Sequence, residues 1–258
     1  MAEIELIKDG AIARVVLNRP ERKNALAGDM RQRLAQAFDD ANRDDDIRAV
    51  VLSASGDTFC AGADVGGMVP RDVKAARNNL QQGSHTLIRA LYNIEKPVIA
   101  SVRGSTVGVG LSMMMACDMA VASDTARFSC IFARRGLAPD SGAAFFLTRL
   151  VGAARARELI FSTRFFDAAE ALQLGIVNQV VPDADLEAAT EQLAQTMAAQ
   201  PTYALAMAKK MLQFAASPSL DQFLEYEALV QPQIRQTQDF REGVDSFKEK
   251  RPARFTGR

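Results

Sequence analysis

The sequence of 258 residues contains no tryptophan, one histidine and only three cysteines. A single histidine excludes mechanisms that need a histidine pair or two histidine ligands on a metal. The cysteines, Cys60, Cys117 and Cys130, include no CxxC pair, and this pattern predicts reduced thiols and a cytoplasmic location. The N-terminal residues match neither a signal peptide nor a transit peptide, and no apolar run approaches the roughly 20 residues that span a bilayer. We therefore expect no targeting segment and no membrane-spanning helix.

The sequence also lacks an excess of charge of either sign, with 31 Lys and Arg residues against 31 Asp and Glu residues. Proteins held on nucleic acid mainly through phosphates, or on anionic lipid by charge, need a basic excess. We therefore expect neither nucleic acid nor a membrane as a partner. Hydrophobic residues make up 48% of the chain, as in ordinary globular proteins. A chain this long can fold without disulfides or a structural metal.

Strand and helix patterns alternate in the first half of the sequence. Apolar residues at helical spacing between Met30 and Ala41 predict an amphipathic helix. Continuously apolar runs are typical of strands buried on both faces of a parallel sheet. Such runs occupy residues 49–53, 98–101 and 119–123.

The second half of the sequence is predominantly helical in pattern. Pro201 is predicted to separate two helices, and Pro232 to stop a third helix that begins at Leu220. A charged amphipathic helix is predicted over residues 239–251. Alternating strands and helices followed by helices alone indicate an α/β core with a helical C-terminal appendage.

Several common catalytic motifs are absent from the sequence. It contains no GxxxxGK[ST], HExxH or GxSxG pattern. Gly108-Val109-Gly110 begins like a dinucleotide-binding loop, but Met113 stands where the third glycine is required. Nucleotide-phosphate, zinc-protease and α/β-hydrolase functions therefore lose their main support, and no metal site is predicted.

Two glycine-bearing loops, residues 59–64 and 104–110, are candidate sites because small residues let a ligand approach the backbone. The second loop runs into an apolar segment that is predicted to be helical. Its free amides would then lie at a helix N-terminus, where partial positive charge collects. Two such N–H groups converging on one point would form an oxyanion hole. The pattern alone leaves open that both loops are plain tight turns.

An ordered set of short motifs resembles the crotonase superfamily, the enoyl-CoA hydratase/isomerase family. It spans roughly residues 1–255, with matching spacing. The motifs are Asn18-Arg19-Pro20, Asn24-Ala25-Leu26, residues 59–64, Lys96-Pro97-Val98-Ile99-Ala100, Cys117-Asp118, Gly136-Leu137-Ala138-Pro139 and Leu150-Val151-Gly152.

This resemblance implies an α/β crotonase fold, with a repeated ββα-type spiral core and a helical C-terminal trimerisation segment. Residues 1–195 would form the core that binds acyl-CoA and carries catalysis, and residues 196–258 the oligomerisation segment. The implied assembly is a homotrimer or a dimer of trimers. Coenzyme A would enter as part of the substrate, so no separate cofactor is implied. The wall of the acyl pocket would come from residues 65–90 and 128–147.

Site residues follow from the same resemblance. Members of the family hold the thioester oxygen with two backbone amides while an enolate forms, and these fall on Ala63 and Val109. The family usually has glycine at the second position, but a valine there retains the amide. The resemblance also implies that ten further residues contact CoA or the substrate. Two of them, Phe247 and Lys250, would reach the CoA of a neighbouring subunit. This set is Arg22, Lys23, Ala25, Ala61, Asp64, Gly108, Gly110, Phe132, Phe247 and Lys250.

The sequence departs from the family's hydratases at both of their catalytic glutamates. These positions are Ser112 and Phe132 here. Neither side chain can act as the acid or base that activates water. Hydration by a paired-glutamate mechanism is therefore not expected.

A different carboxylate, Asp140, stands where such hydratases usually have glycine. In some crotonase isomerases an aspartate at this position moves a proton, and in 4-chlorobenzoyl-CoA dehalogenase it attacks the ring. His85 matches a functional histidine of that dehalogenase, but Phe132 replaces its key tryptophan. We therefore favour double-bond isomerisation of an unsaturated acyl-CoA by Asp140. A hydratase with an atypical acid/base set, a dehalogenase-like enzyme and a non-catalytic acyl-CoA binder stay open as well. Asp140 could also merely cap a helix over residues 141–150.

Overall fold

Two β-sheets organise the fold in the computed structural model, which describes residues 2–67 and 72–258. The strands are β1 (Ile4–Asp9), β2 (Ile12–Leu17), β3 (Ala49–Ala54), β4 (Val98–Val102), β5 (Ser105–Val107), β6 (Met119–Ser123), β7 (Arg127–Ser129), β8 (Phe166–Asp167) and β9 (Gln179–Val181). The larger sheet has the order β1-β2-β3-β4-β6-β9, in which only the β1–β2 hairpin is antiparallel. The smaller sheet has the order β5-β7-β8.

Helices separate most of these strands and make up the C-terminal part of the chain. They are α1 (Met30–Arg43), α2 (Val73–Leu80), α3 (Thr86–Asn93), α4 (Val109–Ala116), α5 (Ala143–Ser162), α6 (Ala168–Gln173), α7 (Leu186–Ala198), α8 (Thr202–Phe214), α9 (Leu220–Ile234) and α10 (Gln238–Glu249). A π-helical turn over Gln81–His85 joins α2 to α3.

The three continuously apolar runs form the central strands β3, β4 and β6, as predicted. Val50 and Leu52 of β3 face the main core, which also contains buried side chains of α1, α3 and α4. Ala49 and Val51 face the opposite side of the sheet, where α7 packs. Because helices cover both faces, successive positions from Ala49 to Leu52 are apolar rather than every second one.

Proline ended one of the predicted helices but not the other. At Pro201 the prediction is confirmed, because α7 ends at Ala198 and α8 begins at Thr202. The stop predicted near Pro232 comes two residues later, since α9 continues through this proline and ends at Ile234. Proline removes one backbone hydrogen bond and crowds the carbonyl four residues earlier, and α9 ends two residues beyond it.

The helix predicted over residues 141–150 begins two residues later, and its predicted end lies close to Gly152, where α5 is kinked by non-helical φ and ψ angles of 73° and 164°. Ser141 and Gly142 have positive φ angles of 52° and 76°, and α5 starts only at Ala143. A helix requires negative φ, so these two residues turn the chain before it enters α5. This turn sets the direction of the residue before it, Asp140.

Arg48 is one of the residues that join the C-terminal part of the chain to the sheet core. Arg48 donates hydrogen bonds to the carbonyl oxygens of Gln200, at 2.6 Å, and Phe255, at 2.7 Å. The predicted boundary between residues 195 and 196 falls in the last turn of α7, which packs on the sheet. Within the part of the chain that the structure describes, none of the helices has the length and apolarity to cross a bilayer.

Candidate active site

Backbone hydrogen bonds join the two glycine-bearing loops side by side. The amide of Cys60 donates to the carbonyl of Ser105 at 3.0 Å, and the amide of Val107 donates to the carbonyl of Cys60 at 3.0 Å. A Cβ atom on Gly110 would lie only 2.6 Å from the carbonyl oxygen of Cys60. Glycine is therefore required at position 110 for the first turn of α4 to approach the other loop.

Replacing Gly110 by alanine is expected to destabilise the protein by about 1–3 kcal/mol, as other overpacked interiors are. The physical reason is that a backbone carbonyl, unlike the end of a flexible side chain, cannot move away from the new methyl group without shifting the loop. Thermal or chemical unfolding measures the loss. Gly243→Ala on α10 is the matched control, because its new Cβ would lie 3.6 Å from the Phe255 ring. A Gly110→Ala variant as stable as this control would contradict the close approach.

The amides of Ala63 and Val109 are available to a ligand. Ala63 lies opposite Leu26 in a parallel β-bridge, but the amide of Ala63 takes no part in it. The bridge is formed by the Leu26 amide, which donates to the carbonyl of Gly62, and by the Asp64 amide, which donates to the carbonyl of Leu26. Val109 is the first residue of α4, so its amide has no acceptor within the helix. Neither amide donates to any acceptor among residues 2–67 and 72–258.

Both amides border a single cavity. Its described lining combines backbone of the two loops, apolar side chains and three charged side chains. The lining residues are Arg31, Gly62, Ala63, Gly108, Val109, Ile131, Phe132, Arg135, Leu137 and Asp140. The structure thus brings together Ala63, Gly108, Val109, Phe132 and Asp140, which sequence reasoning placed in the site.

Asp140 is the one carboxylate in this described lining. Its side chain accepts a hydrogen bond from the hydroxyl of Ser141 at 2.7 Å. Its side chain caps no helix, because the N-cap of α5 is Gly142 and no side chain bonds to the first-turn amides there; only the backbone carbonyl of Asp140 accepts a hydrogen bond from the Ala143 amide, at 2.9 Å. The interpretation of Asp140 as a mere helix cap is therefore wrong. The positive φ angles of the next two residues instead leave it half-buried at the cavity.

Phe132 and Ser112, which replace the two hydratase glutamates, lie in different surroundings. Phe132 lines the cavity with an apolar ring that is 7% exposed. Ser112 is fully buried inside α4, and its hydroxyl donates to the carbonyl oxygen of Gly108 at 3.3 Å. Neither position therefore supplies a group that could take a proton from water.

The loop predicted to hold CoA is organised by a residue that sequence reasoning quoted only as part of a motif. Asn24 is fully buried with a φ of 53°, and its amide donates to the carbonyls of Ser55 at 2.9 Å and Thr58 at 2.6 Å. These bonds fix the turn that leaves Arg22 and Lys23 exposed to solvent. The carbonyl of Lys23 accepts a hydrogen bond from the Ala61 amide at 3.0 Å.

The side chain of Asp64, one of the predicted CoA contacts, has structural partners. It accepts hydrogen bonds from Arg19 at 2.8 Å and from the Gly66 amide at 2.9 Å. The Arg19 guanidinium holds the pKa of Asp64 below its usual value. Because Arg19 also donates to the carbonyl of Ala25 at 3.0 Å, this pair joins the two segments from which CoA contacts were predicted.

Some candidates lie away from the described lining of the cavity. Phe247 and Lys250, at the end of α10, are exposed, and the ring of Phe247 is 86% accessible. His85 is half-buried in the π-helical turn. Gly110 contacts Cys60 behind the loops. Of the predicted wall over residues 65–90, positions 68–71 lie outside the described residues.

Sequence reasoning missed Arg31, because it lies on α1, outside both segments predicted to wall the pocket. The sequence pattern placed Arg31 off the apolar face that carries Leu34 and Phe38, so α1 was predicted only as a packing helix. Burial lowers the pKa of the Arg31 guanidinium, and the negative charge of Asp140 opposes this effect. A guanidinium remains charged at neutral pH even so.

The nearby thiols are not nucleophiles at neutral pH. Burial raises the pKa of Cys60 to about 12. Burial, together with the charge of Asp140, raises the pKa of Cys130 to about 11. Among the described residues, no group of three or more His, Cys, Asp or Glu side chains could hold a metal. In the described lining of the cavity, the groups that can act chemically are therefore the free amides, the carboxylate and the arginines.

Comparison with known proteins identifies relatives over nearly the whole chain. The family model for enoyl-CoA hydratase/isomerase matches residues 8–258. A Rhodobacter capsulatus protein named "Probable enoyl-CoA hydratase" is 37% identical over 247 residues, which are 96% of this chain and 95% of that protein. The 1,2-epoxyphenylacetyl-CoA isomerase of Escherichia coli is 34% identical over 247 residues, which are 95% of this chain and 94% of the isomerase.

Solved structures show the same fold. A crystal structure of an enoyl-CoA hydratase subunit from Geobacillus kaustophilus has a TM-score of 0.94 and 33% sequence identity, and the match covers 100% of this chain and 99% of that one. The predicted crotonase fold is thereby confirmed. The ordered motifs, the fold and the family model agree, and the chain belongs to the enoyl-CoA hydratase/isomerase family, the crotonase superfamily.

Proposed function

We propose that this protein isomerises the double bond of an unsaturated acyl-CoA, with Asp140 as the group that moves the proton. One observation carries the proposal: Asp140 is the only carboxylate in the described lining of a cavity that also presents the free amides of Ala63 and Val109. A base that shares one cavity with two free N–H donors suits chemistry in which negative charge develops on a thioester oxygen.

The proposed reaction balances without water or a further reactant. The Asp140 carboxylate removes a proton from C2 of a 3-enoyl thioester. The electrons of that C–H bond form a dienolate, whose negative charge resides on the thioester oxygen between the amides of Ala63 and Val109. The Asp140 carboxyl then returns the proton to C4, the double bond becomes C2=C3 and the carbonyl re-forms. Asp140 ends as a carboxylate, ready for another turnover.

Two features support isomerisation over hydration. Hydration requires groups that position and deprotonate a water molecule, and Ser112 and Phe132 provide none. The Escherichia coli relative is also named as an isomerase. Coenzyme A enters in this proposal as part of the substrate, with the exposed cations Arg22 and Lys23 beside its phosphates and no further cofactor.

A substrate panel tests the proposal directly. Purified protein is incubated with 3-enoyl-CoA and 2-enoyl-CoA thioesters of several chain lengths, and the products are separated by liquid chromatography with mass detection. We expect interconversion of the two series with no change of mass. A product heavier by one water, formed faster than the isomer, would overturn the proposal in favour of hydration. Halide release from 4-chlorobenzoyl-CoA would overturn it in favour of a dehalogenase, and binding of every thioester without turnover in favour of a non-catalytic acyl-CoA binder.

We further propose that the C-terminal helices pack against neighbouring copies, as the family resemblance implies. Several large apolar side chains on α8 to α10 are exposed in the single chain. They include Leu212, Leu220, Leu229 and Phe247. Burying them removes apolar surface from water. Light scattering in solution is expected to give a mass of three or six times the 28.0 kDa chain, whereas a stable species of 28.0 kDa would contradict the assembly.

A further inference from the structure

The π-helical turn between α2 and α3 contacts the side chain of Arg31 and holds it in place. A Cβ atom on Gly83 would lie 3.3 Å from Cδ of Arg31, so the glycine leaves room for the arginine stem. The Nε of Arg31 donates to the hydroxyl of Ser84, itself buried in the turn, at 3.2 Å. Insertions of this kind into helices often occur at functional sites. Here the turn fixes the direction in which the guanidinium points.

The terminal nitrogens of Arg31 have no partner in the part of the chain that the structure describes. Among the described residues, Nε donates to Ser84, and the nearby carboxylate of Asp140 acts on Arg31 only through its charge, without a hydrogen bond. The guanidinium is largely buried and lines the cavity. Burying a charge without a partner is costly, so a protein normally pairs it. Two free N–H edges in a fixed fork match the two oxygens of a carboxylate.

The charges of the described lining admit an anion. Arg31 and Arg135 are cationic and Asp140 is anionic, which leaves one net positive charge. Arg31 forms no direct ion pair with Asp140, so the carboxylate of the proposed base stays free to accept a proton. The remaining charge is available to a negatively charged group on the bound acyl chain, beyond the thioester oxygen that the amides would hold.

We infer that Arg31 binds a carboxylate on the acyl group, so that the preferred substrates are CoA monothioesters of unsaturated dicarboxylic acids. This inference rests on the proposed acyl-CoA site and names its substrate class. It predicts discrimination at the end of the acyl chain remote from the thioester. A methyl group in place of the carboxylate would leave Arg31 desolvated and without a partner.

Binding of unreactive saturated thioesters tests the inference independently of the isomerase chemistry. Glutaryl-CoA is compared with pentanoyl-CoA, and adipoyl-CoA with hexanoyl-CoA, by titration calorimetry on the wild-type protein. Each pair has the same number of carbons and differs in the terminal carboxylate. We expect the dicarboxylic member of at least one pair to bind about 10- to 100-fold more tightly, as hydrogen bonds to charged groups allow.

Variants assign this preference to Arg31. Arg31→Gln should abolish the difference within each pair, and Arg31→Lys, which retains the charge without the fork, should retain part of it. Arg43→Gln is the matched control, because it removes one exposed positive charge from the end of the same helix. The control should keep the full preference. The Lys variant and the wild-type comparison both remain informative if the Gln variant fails to fold.

Three outcomes would overturn the inference. The first is equal affinity of the wild-type protein for both members of both pairs. The second is a preference that survives in Arg31→Gln. The third is equally tight binding of glutaryl-CoA and its terminal methyl ester, which would show that a neutral oxygen suffices. Failure of the isomerase proposal would look different: the preference for dicarboxylic thioesters would persist while the enoyl-CoA panel showed no movement of the double bond.

Discussion

Replacing Asp140 by asparagine is expected to lower kcat for double-bond isomerisation by about 10²–10⁴, the usual contribution of a positioned acid/base group. An amide cannot accept the C2 proton, whereas its shape closely matches that of the carboxylate. The Ser141 hydroxyl can still donate to the amide oxygen, as it does to Oδ1 at 2.7 Å, so the turn into α5 should be retained. KM should change less than kcat. The measurement is steady-state kinetics on the best 3-enoyl-CoA of the panel.

A control separates loss of the base from loss of charge in general. Asp39→Asn removes an exposed carboxylate of α1 that has no hydrogen-bond partner among the described residues. It should leave kcat and KM unchanged. Isomerase turnover in Asp140→Asn equal to that of this control would eliminate Asp140 as the base. Equal melting temperatures of the two variants would show that the kinetic loss is not a folding defect.

Replacing Val109 by proline is expected to reduce kcat by about 10²–10³, the cost of losing one oxyanion-hole donor. Proline deletes the backbone N–H and leaves no other donor at that point. The substitution suits this position, because Val109 is the first residue of α4 and proline is readily accommodated at the first position of a helix. The ring also fills most of the volume of the buried valine side chain.

Val109→Ala is the matched variant for this test. It keeps the amide and removes two methyl groups from a buried site, so it should cost about 1–2 kcal/mol of stability by transfer free energy while retaining most of kcat. The comparison therefore separates the amide from the side chain. If the proline variant turns over as fast as the alanine variant, the amide of Val109 does not stabilise the enolate. Loss in both variants together would place the effect in packing instead.

The strands of the core could be predicted from the sequence because their environment is uniform. The runs at residues 49–53, 98–101 and 119–123 are apolar at every position but the last, which is a serine, and helices indeed cover both faces of the sheet. The ends of the helices were harder to predict from the sequence. The start of α5 depends on positive φ angles at Ser141 and Gly142, and serine at such an angle carries no strong sequence signal. Pro232 likewise lies within a helix that tolerates it.

Only part of the candidate site could be predicted from the sequence. Whether a residue was found depended on whether it contributes its backbone or its side chain. Ala63 and Val109 contribute only backbone, so their side chains say nothing about function, and their assignment came from the order of motifs around them. Arg31 could not be found in this way, because it is one of several arginines on a helix whose pattern indicates packing. Its proximity to Asp140 depends on the packing of elements more than a hundred positions apart in the chain.

The sequence by itself determined the fold class, the family and the absence of the hydratase carboxylates. These properties reside in local patterns: apolar runs, motif order and the identities Ser112 and Phe132. Only the tertiary structure decided that the Asp140 side chain borders the cavity of the free amides instead of capping α5, and that Arg31 borders this cavity with terminal nitrogens that have no partner among the described residues. The physical reason is that direction, burial and pairing of a side chain depend on contacts between distant segments. An equal number of positive and negative residues in the sequence is therefore compatible with a net positive charge in this cavity.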